Sequence, residues 1–253
     1  MLPIKLRSAR MFGSGNSALE DVFVLAKPID FSKWIPIFPL PNGVLMPKAI
    51  LPLHVFEHRY RVMTRDALAG SKLIAMGLLK PGYEANYHRL DTAVYPEVCV
   101  GRILREEQLA DGRFNLLLQG AARARIEAEN AELEYRRGRL ECMLPIPASP
   151  ETECAIRREL RQLLSNPPLV QLATKANWLE LLSCPEFSLS DILDVLASTA
   201  LPSSQDKQRF LAEPCVVGRA SCICKVLHAI GSQMPQCAPQ KRPRSWPPKI
   251  YTN

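Results

Sequence analysis

The apolar residues of this sequence change period near its middle. From Trp34 onward they fall in runs of strand length. Ile35-Pro-Ile-Phe-Pro-Leu-Pro-Asn-Gly43 is an apolar run broken by three prolines. Proline donates no backbone hydrogen bond, so the run reads as an edge or looping strand, and Asn42-Gly43 signals a turn. Val44–Met46 and Ala49–Leu51 read as further short strands. Between residues 55 and 69 the spacing turns helical. Val55, Phe56, Tyr60, Met63 and Ala67 share one side, Arg59, Arg61, Arg65 and Asp66 the other, and Gly70 supplies a stop. Leu73 to Leu79 is an unbroken apolar run of strand length, and residues 80–97 read as a long loop. Strands at 98–109 and 113–119 flank the hairpin signal Ala110-Asp111-Gly112. Residues 121–126 alternate small or apolar residues with arginine at period 2, as a half-buried strand does. Tyr135 to Met143 is one more candidate.

Pro145, Pro147 and Pro150 close that region, and the period beyond them is helical. Ile156, Leu160, Leu163 and Leu164 form one apolar stripe. Further helices are predicted near 168–183, 189–199, 203–212 and 215–230, with Ser188 and Ser203 as N-caps. The pattern predicts an α+β chain with four parts: an N-terminal extension at 1–33, expected to be poorly ordered; a β-rich domain at 34–147; a helical subdomain at 148–235; and a basic, proline-rich tail at 236–253, expected to be disordered. No internal repeat of solenoid length is present.

Charge sharpens this division. The formal net charge is +7, yet residues 31–149 hold 16 basic and 13 acidic side chains and residues 150–238 hold 8 and 9. Residues 239–253, which include Gln240-Lys-Arg-Pro-Arg-Ser-Trp246, hold four basic side chains and no acid. A nearly balanced body argues against a nucleic-acid interface, which needs a basic stripe on the folded part. No window of 18 apolar residues exists to span a membrane. Residues 1–19 carry Lys5, Arg7 and Arg10 without an acid, a faint likeness to an organellar transit peptide, but lack the apolar run of a secretory signal. The eight cysteines form no Cys-x-x-Cys pair, and Cys222 and Cys224, two apart on a helix, face different ways. They read as small buried side chains in a reducing, cytoplasmic compartment.

One stretch raises a catalytic question. His54-Val-Phe-Glu-His58 spells the inverted zinc-peptidase pattern, two histidines with a glutamate as general base. That chemistry needs both rings on one face of a regular helix and a further carboxylate ligand. Pro52 places His54 at the helix entry instead, the other histidines are His88 and His228, and no downstream glutamate stands out. No phosphate-binding loop follows Gly13-Ser-Gly-Asn-Ser17, and no Gly-x-Ser-x-Gly elbow occurs.

The same stretch has a second context. Ile37-Phe-Pro-Leu-Pro-Asn-Gly-Val-Leu-Met-Pro-Lys-Ala-Ile-Leu-Pro-Leu-His-Val-Phe-Glu-His-Arg-Tyr60 resembles the opening of the Lon protease N-terminal, substrate-binding domain. Val100-Gly-Arg-Ile103, Asp111-Gly-Arg113 and Leu118-Gln-Gly-Ala-Ala-Arg123 follow in that family's order, and Asp206-Lys-Gln-Arg-Phe-Leu-Ala-Glu213 is a looser helical match. The resemblance covers roughly residues 34–230. It implies a PUA-like, β-rich pseudo-barrel followed by an all-helical subdomain, in a stand-alone bacterial protein without ATPase or peptidase modules. The implied function is non-catalytic recognition of unfolded or tagged polypeptides, as a client-recognition or adaptor protein with a protease as a further partner. No cofactor and no catalytic or metal residue is implied. An RNA-binding PUA-like protein is the alternative, and a zinc hydrolase using His54, Glu57 and His58 the weaker one. The signature residues Pro39, Pro52, His54, Phe56, Glu57, Arg59, Tyr60, Gly101, Asp111, Gly112, Gly120 and Arg123 are expected to be structural. Glu57 and Arg123 are expected to form a buried ion pair. Met46 and Tyr83 are candidates for a contact surface, with no binding residue singled out.

Overall fold

The computed structural model describes residues 28–175, 177–184 and 186–233. The readings of a leader before residue 28 and of a basic tail beyond 233 lie outside these residues. Six strands come first: β1 (Ile35–Leu40), β2 (Ile50–Val55), β3 (Leu73–Leu78), β4 (Glu97–Gln108), β5 (Phe114–Asn130) and β6 (Arg137–Cys142), with helix α1 (His58–Ala69) between β2 and β3. Six helices follow: α2 (Pro150–Leu164), α3 (Pro167–Lys175), α4 (Trp178–Ser183), α5 (Leu189–Ala200), α6 (Ser204–Ala212) and α7 (Val216–Gln233). The architecture is α+β.

The sheet order is β2-β5-β4-β3-β1-β6, and β6 also pairs with β5. That extra pairing closes β1, β3, β4, β5 and β6 into a barrel and leaves β2 as a flap on β5. Strand β5 makes both possible because it is long. Its first part, Phe114–Gln119, pairs with β2, and its second, from Ala124 to Asn130, pairs with β6. The break expected between strands at 113–119 and 121–126 is therefore a change of partner within one strand. It falls at Gly120. There the segment from Met46 to Ala49 crosses β5: Lys48 N–H donates to the Gly120 carbonyl (2.8 Å) and Gly120 N–H donates to the Ala49 carbonyl (2.9 Å). A Cβ on Gly120 would lie 2.0 Å from the Met46 carbonyl oxygen, so no larger residue fits without moving backbone. Gly101, paired with Gly120 across the ladder, would press a Cβ to 2.6 Å from Leu118.

Inside the barrel Ile37, Leu73, Ala75, Val98, Val100, Ala124 and Leu140 form one buried cluster, against which Ile29 and Phe31 also pack. The opposite faces of β1 and β3 meet α1, where the Phe38 and Tyr60 rings pack at a tilt of 39°, 4.3 Å between centroids. This outer cluster runs on without interruption into the helical half, through Leu160, Leu164, Leu193, Leu196 and Leu227. The two halves share one core. Ser188 and Ser203 cap α5 and α6 by accepting from the amides of Asp191 and Asp206, and Ser149 caps α2 in the same way through Thr152.

Several local expectations are corrected. Val44–Met46 forms no strand; Leu45 and Met46 are buried under the crossing at Gly120, which also removes Met46 as a contact surface. The helix expected from residue 55 begins at His58, because Val55 completes the ladder with β5. The helix expected over 168–183 is two helices, separated where Asn177 adopts a left-handed backbone (φ 54°).

Candidate functional site

The β2–α1 junction carries the signature from Pro52 to Tyr60, and it faces the long loop between β3 and β4. Pro52 lies in edge strand β2, opposite Leu117, where its missing N–H costs no ladder bond. Pro39, in β1, pairs in parallel with Gly77. His54 is a strand residue. Its Nδ1 lies 2.8 Å from the Asn115 side-chain oxygen and its Nε2 3.2 Å from an Arg113 nitrogen. His58 opens α1 and meets Glu134 at 3.3 Å. The two imidazoles belong to different elements and have different partners, so the one-face helical geometry of the zinc pattern is not formed. Among the described residues no group of three or more His, Cys, Asp or Glu is placed to hold a metal ion. Phe56 is half-buried and stacks near His54, with centroids 6.2 Å apart. Asp111 and Gly112 form the β4–β5 turn: Gly112 has φ +80°, and Asp111 accepts from the Arg113 amide (3.1 Å) and guanidinium (2.6 Å).

Glu57 is the N-cap of α1 through its backbone: the amides of Tyr60 and Arg61 donate to its carbonyl. Its carboxylate accepts from Arg59 Nε (3.1 Å) and from the Tyr87 hydroxyl (2.8 Å). Arg59 in turn donates to the carbonyls of His88 (3.2 Å) and Tyr87 (3.3 Å). Its guanidinium sits over the Tyr60 and Tyr87 rings at 4.5 and 5.3 Å. Burial, then the bond to Glu57, pushes the Tyr87 phenol above its ordinary range. The expected Glu57–Arg123 pair does not exist. Glu57 spends its charge locally, at the entry of α1, and Arg123 lies in the part of β5 that faces the helical half.

There Arg123, 4% exposed, pairs with Asp194 of α5. It also donates to the last carbonyls of α6, Leu211 (3.0 Å) and Phe210 (3.4 Å), where a cation suits the helix C-terminus. Arg219 of α7 shares Asp194 at 2.7 Å and donates to Ser190 at 2.8 Å. Burial pushes the Asp194 carboxyl up and the two guanidiniums pull it back. The seam is extended by Gln208, whose amide donates to the Glu97 carbonyl (2.9 Å), and by Tyr95 with Gln205 (3.0 Å).

The loop itself is built to hold a shape. Its base is a bridge between Leu79 and Val94, and Glu84–Asn86 forms a 3₁₀ turn. Arg59 holds its carbonyls from one side. From the other, Arg136, 6% exposed, donates to the Thr92 carbonyl at 2.5 Å and pairs with Glu129. A connection this long without strand or α-helix is commonly a binding loop. Two cavities open on it. One of about 330 Å³ is lined by Lys80, Tyr83, Asn86, Arg89 and Thr92 among others, and one of about 620 Å³ by Leu90, Glu129, Ala131 and Arg136; Arg89 and Asp91 line both. Tyr83 belongs to this surface. Sequence reasoning read 80–97 only as a loop; its length was the available signal.

Comparison with known proteins fits this geometry. The family model of the ATP-dependent protease La (LON) substrate-binding domain matches residues 34–229. A Lon protease of Desulfosudis oleivorans is 32% identical over 92 residues, 36% of this chain and 11% of that protein. Lon protease 2 of Myxococcus xanthus is 23% identical over 227 residues, 85% of this chain and 26% of that protein. The chain thus spans a small part of the length of these relatives. Among solved structures, the N-terminal domain of Mycobacterium avium complex Lon protease superposes with a TM-score of 0.58 at 18% identity, covering 79% of this chain and 99% of that one. A Lon N-terminal domain protein from Xanthomonas campestris gives 0.52 at 21% identity, covering 80% and 99%. With its body matched from β1 into α7, the chain belongs to the Lon substrate-binding domain family.

Proposed function

We propose that this protein is a non-catalytic module that binds unfolded or tagged polypeptides and presents them to a protease, as a client-recognition or adaptor protein. The observation that carries this reading is the match of residues 34–229 to a substrate-binding domain family. The fold supports it further. One continuous apolar cluster joins the outer face of the barrel to the helical half, and the loop between β3 and β4 is braced by Arg59 and Arg136. A preorganised loop loses little entropy on binding. Among the described residues no helix is long and apolar enough to cross a membrane.

The test is direct. A fluorescein-labelled, reduced and carboxymethylated protein is expected to raise its anisotropy saturably on titration with this chain, while its folded, disulfide-intact form does not. Equal binding of both forms, or of neither, removes the reading. Binding to single-stranded RNA that persists after removal of residues 239–253 and weakens steeply with salt would install the RNA-binding alternative in its place.

A further inference from the structure

The two cavities on the β3–β4 loop differ in chemistry and share a wall. Arg89 and Asp91 line both, and they are bound to each other through two hydrogen bonds of 2.8 and 2.6 Å. On one side of this wall lies the polar cavity of about 330 Å³. Lys80 lines it, and among the described residues its ammonium has no carboxylate partner; its charge contact is the face of Tyr95, at 5.9 Å. Asn86 and Tyr83, also in its lining, carry hydrogen-bonding side chains. On the other side lies the cavity of about 620 Å³, where Leu90 and Ala131 supply apolar surface. Its charges are spent on one another, Arg136 on Glu129 and Arg89 on Asp91. The uncompensated charge at the paired cavities is therefore a single cation, on the polar side. Both volumes fall within or near the roughly 300–1,000 Å³ of ligand pockets.

We propose that these cavities form a bipartite site for an extended polypeptide, taking an apolar side chain against Leu90 and Ala131 and a carboxylate against Lys80, on either side of the Arg89–Asp91 wall. This rests on the polypeptide-binding reading and names the kind of segment that it selects. The charge decides the second element. An acidic group at Lys80 gains a partner in a partly enclosed site, whereas a basic one meets a like charge. The carboxylate can be that of an Asp or Glu residue or the terminal carboxylate of the bound polypeptide.

The test uses the full-length protein and four labelled dodecapeptides of one apolar sequence. Three are C-terminally amidated and carry Asp, Asn or Lys at one position; the fourth carries Asn and a free C-terminus. Anisotropy is expected to rank Asp above Asn and Asn above Lys, with about tenfold, roughly 1.4 kcal/mol, between the extremes. Tighter binding of the free-C-terminus peptide than of the Asp peptide assigns the carboxylate to the peptide end; the reverse assigns it to the Asp or Glu residue. Lys80→Glu is expected to invert the order, and Ala131→Trp, filling the apolar cavity, to weaken all four about tenfold. Lys80 and Ala131 are both exposed, and unchanged melting curves confirm that the variants fold. Wild-type binding and ranking in both variants overturns the site while leaving polypeptide binding intact. Absence of binding to any peptide or unfolded protein removes both. Displacement of the Asp peptide by single-stranded RNA, lost in Lys80→Glu, overturns the polypeptide assignment at this site.

Discussion

Two arginine–carboxylate clusters in this protein are built on signature residues, and they differ in what surrounds them. Arg123, Asp194 and Arg219 sit where the barrel meets the helices, with side-chain exposures of 4, 3 and 0%. They join β5 to α5, α6 and α7. Glu57, Arg59 and Tyr87 sit at the β2–α1 junction, with the charged pair 18 and 14% exposed, and join a helix entry to a loop. The first cluster carries two cations for one anion in a dry place, and Arg219 Nε finds no acceptor there among the described residues. The second is balanced, and its arginine donates to two carbonyls besides the carboxylate. The same chemistry thus fixes the two halves together in one case and the shape of one loop in the other. Burial decides which, because a charge left alone in the interior is far more costly than one that water can reach.

The widest separation between the clusters comes from removing the anion of each. Asp194→Ala removes the carboxylate that two buried guanidiniums share, and loss of one partner of a buried pair costs about 3–5 kcal/mol. Urea unfolding is expected to show a loss of that size, with the helical half released early enough to break the single transition. A loss below about 1 kcal/mol, the scale of an ordinary surface pair, would show that water reaches the seam.

Glu57→Ala is expected to cost less, about 1–2 kcal/mol, the scale of a hydrogen bond to a charged group that solvent partly replaces. The effect should be local. Amides from Glu84 to Thr92 are expected to exchange faster with solvent while those of β3, β4 and β5 keep their protection. Faster exchange across the whole barrel would mean that this cluster, too, supports the global fold, and the contrast between the two would fail.

How far the sequence reveals this contrast depends on the range of each contact. The caps Ser188 and Ser203, the Asp111–Gly112 turn and the α2 stripe of Ile156, Leu160, Leu163 and Leu164 are local, and all form where the pattern places them. The start of α1 was displaced because Val55 suits a helix face and a strand ladder equally, and pairing with Phe114 of β5 decides the matter. The partner of Glu57 was misread because the motifs that hold Glu57 and Arg123 say nothing of how far apart the fold sets them. Asp194 and Arg219 belong to no motif. The signal that could have found them is a charge on an apolar helix face: Asp194 stands between Leu193 and Leu196, all buried, where an acid is retained only with a partner. Which partner is a tertiary fact. The braced loop was legible only by its length, since its two arginine struts come from α1 and from the residue just before β6.

A third charged pair calibrates the other two from the exposed end. Asp111 and Arg113 share the β4–β5 turn in contact with solvent, and the hydrogen bonds from Arg113 hold the Asp111 carboxyl below its usual value of 3.8. A carboxyl lowered in the folded state contributes stability above its unfolded value and loses it as pH falls through the folded one. In Asp111→Asn the difference from the unmodified protein is therefore expected to be small near neutral pH and to vanish well below pH 3.8. Proton-detected titration of the Asp111 carboxyl should find its midpoint under 3.8 and rising toward it with added salt, because exposed charges are screened. Melting curves of variant and wild type that stay apart in acid would mean that the turn depends on the shape of the Asp111 side chain, not on its charge. The pair would then be no measure of what an unburied arginine–carboxylate contact is worth here, and the difference between the seam and the loop anchor would have to be judged without it.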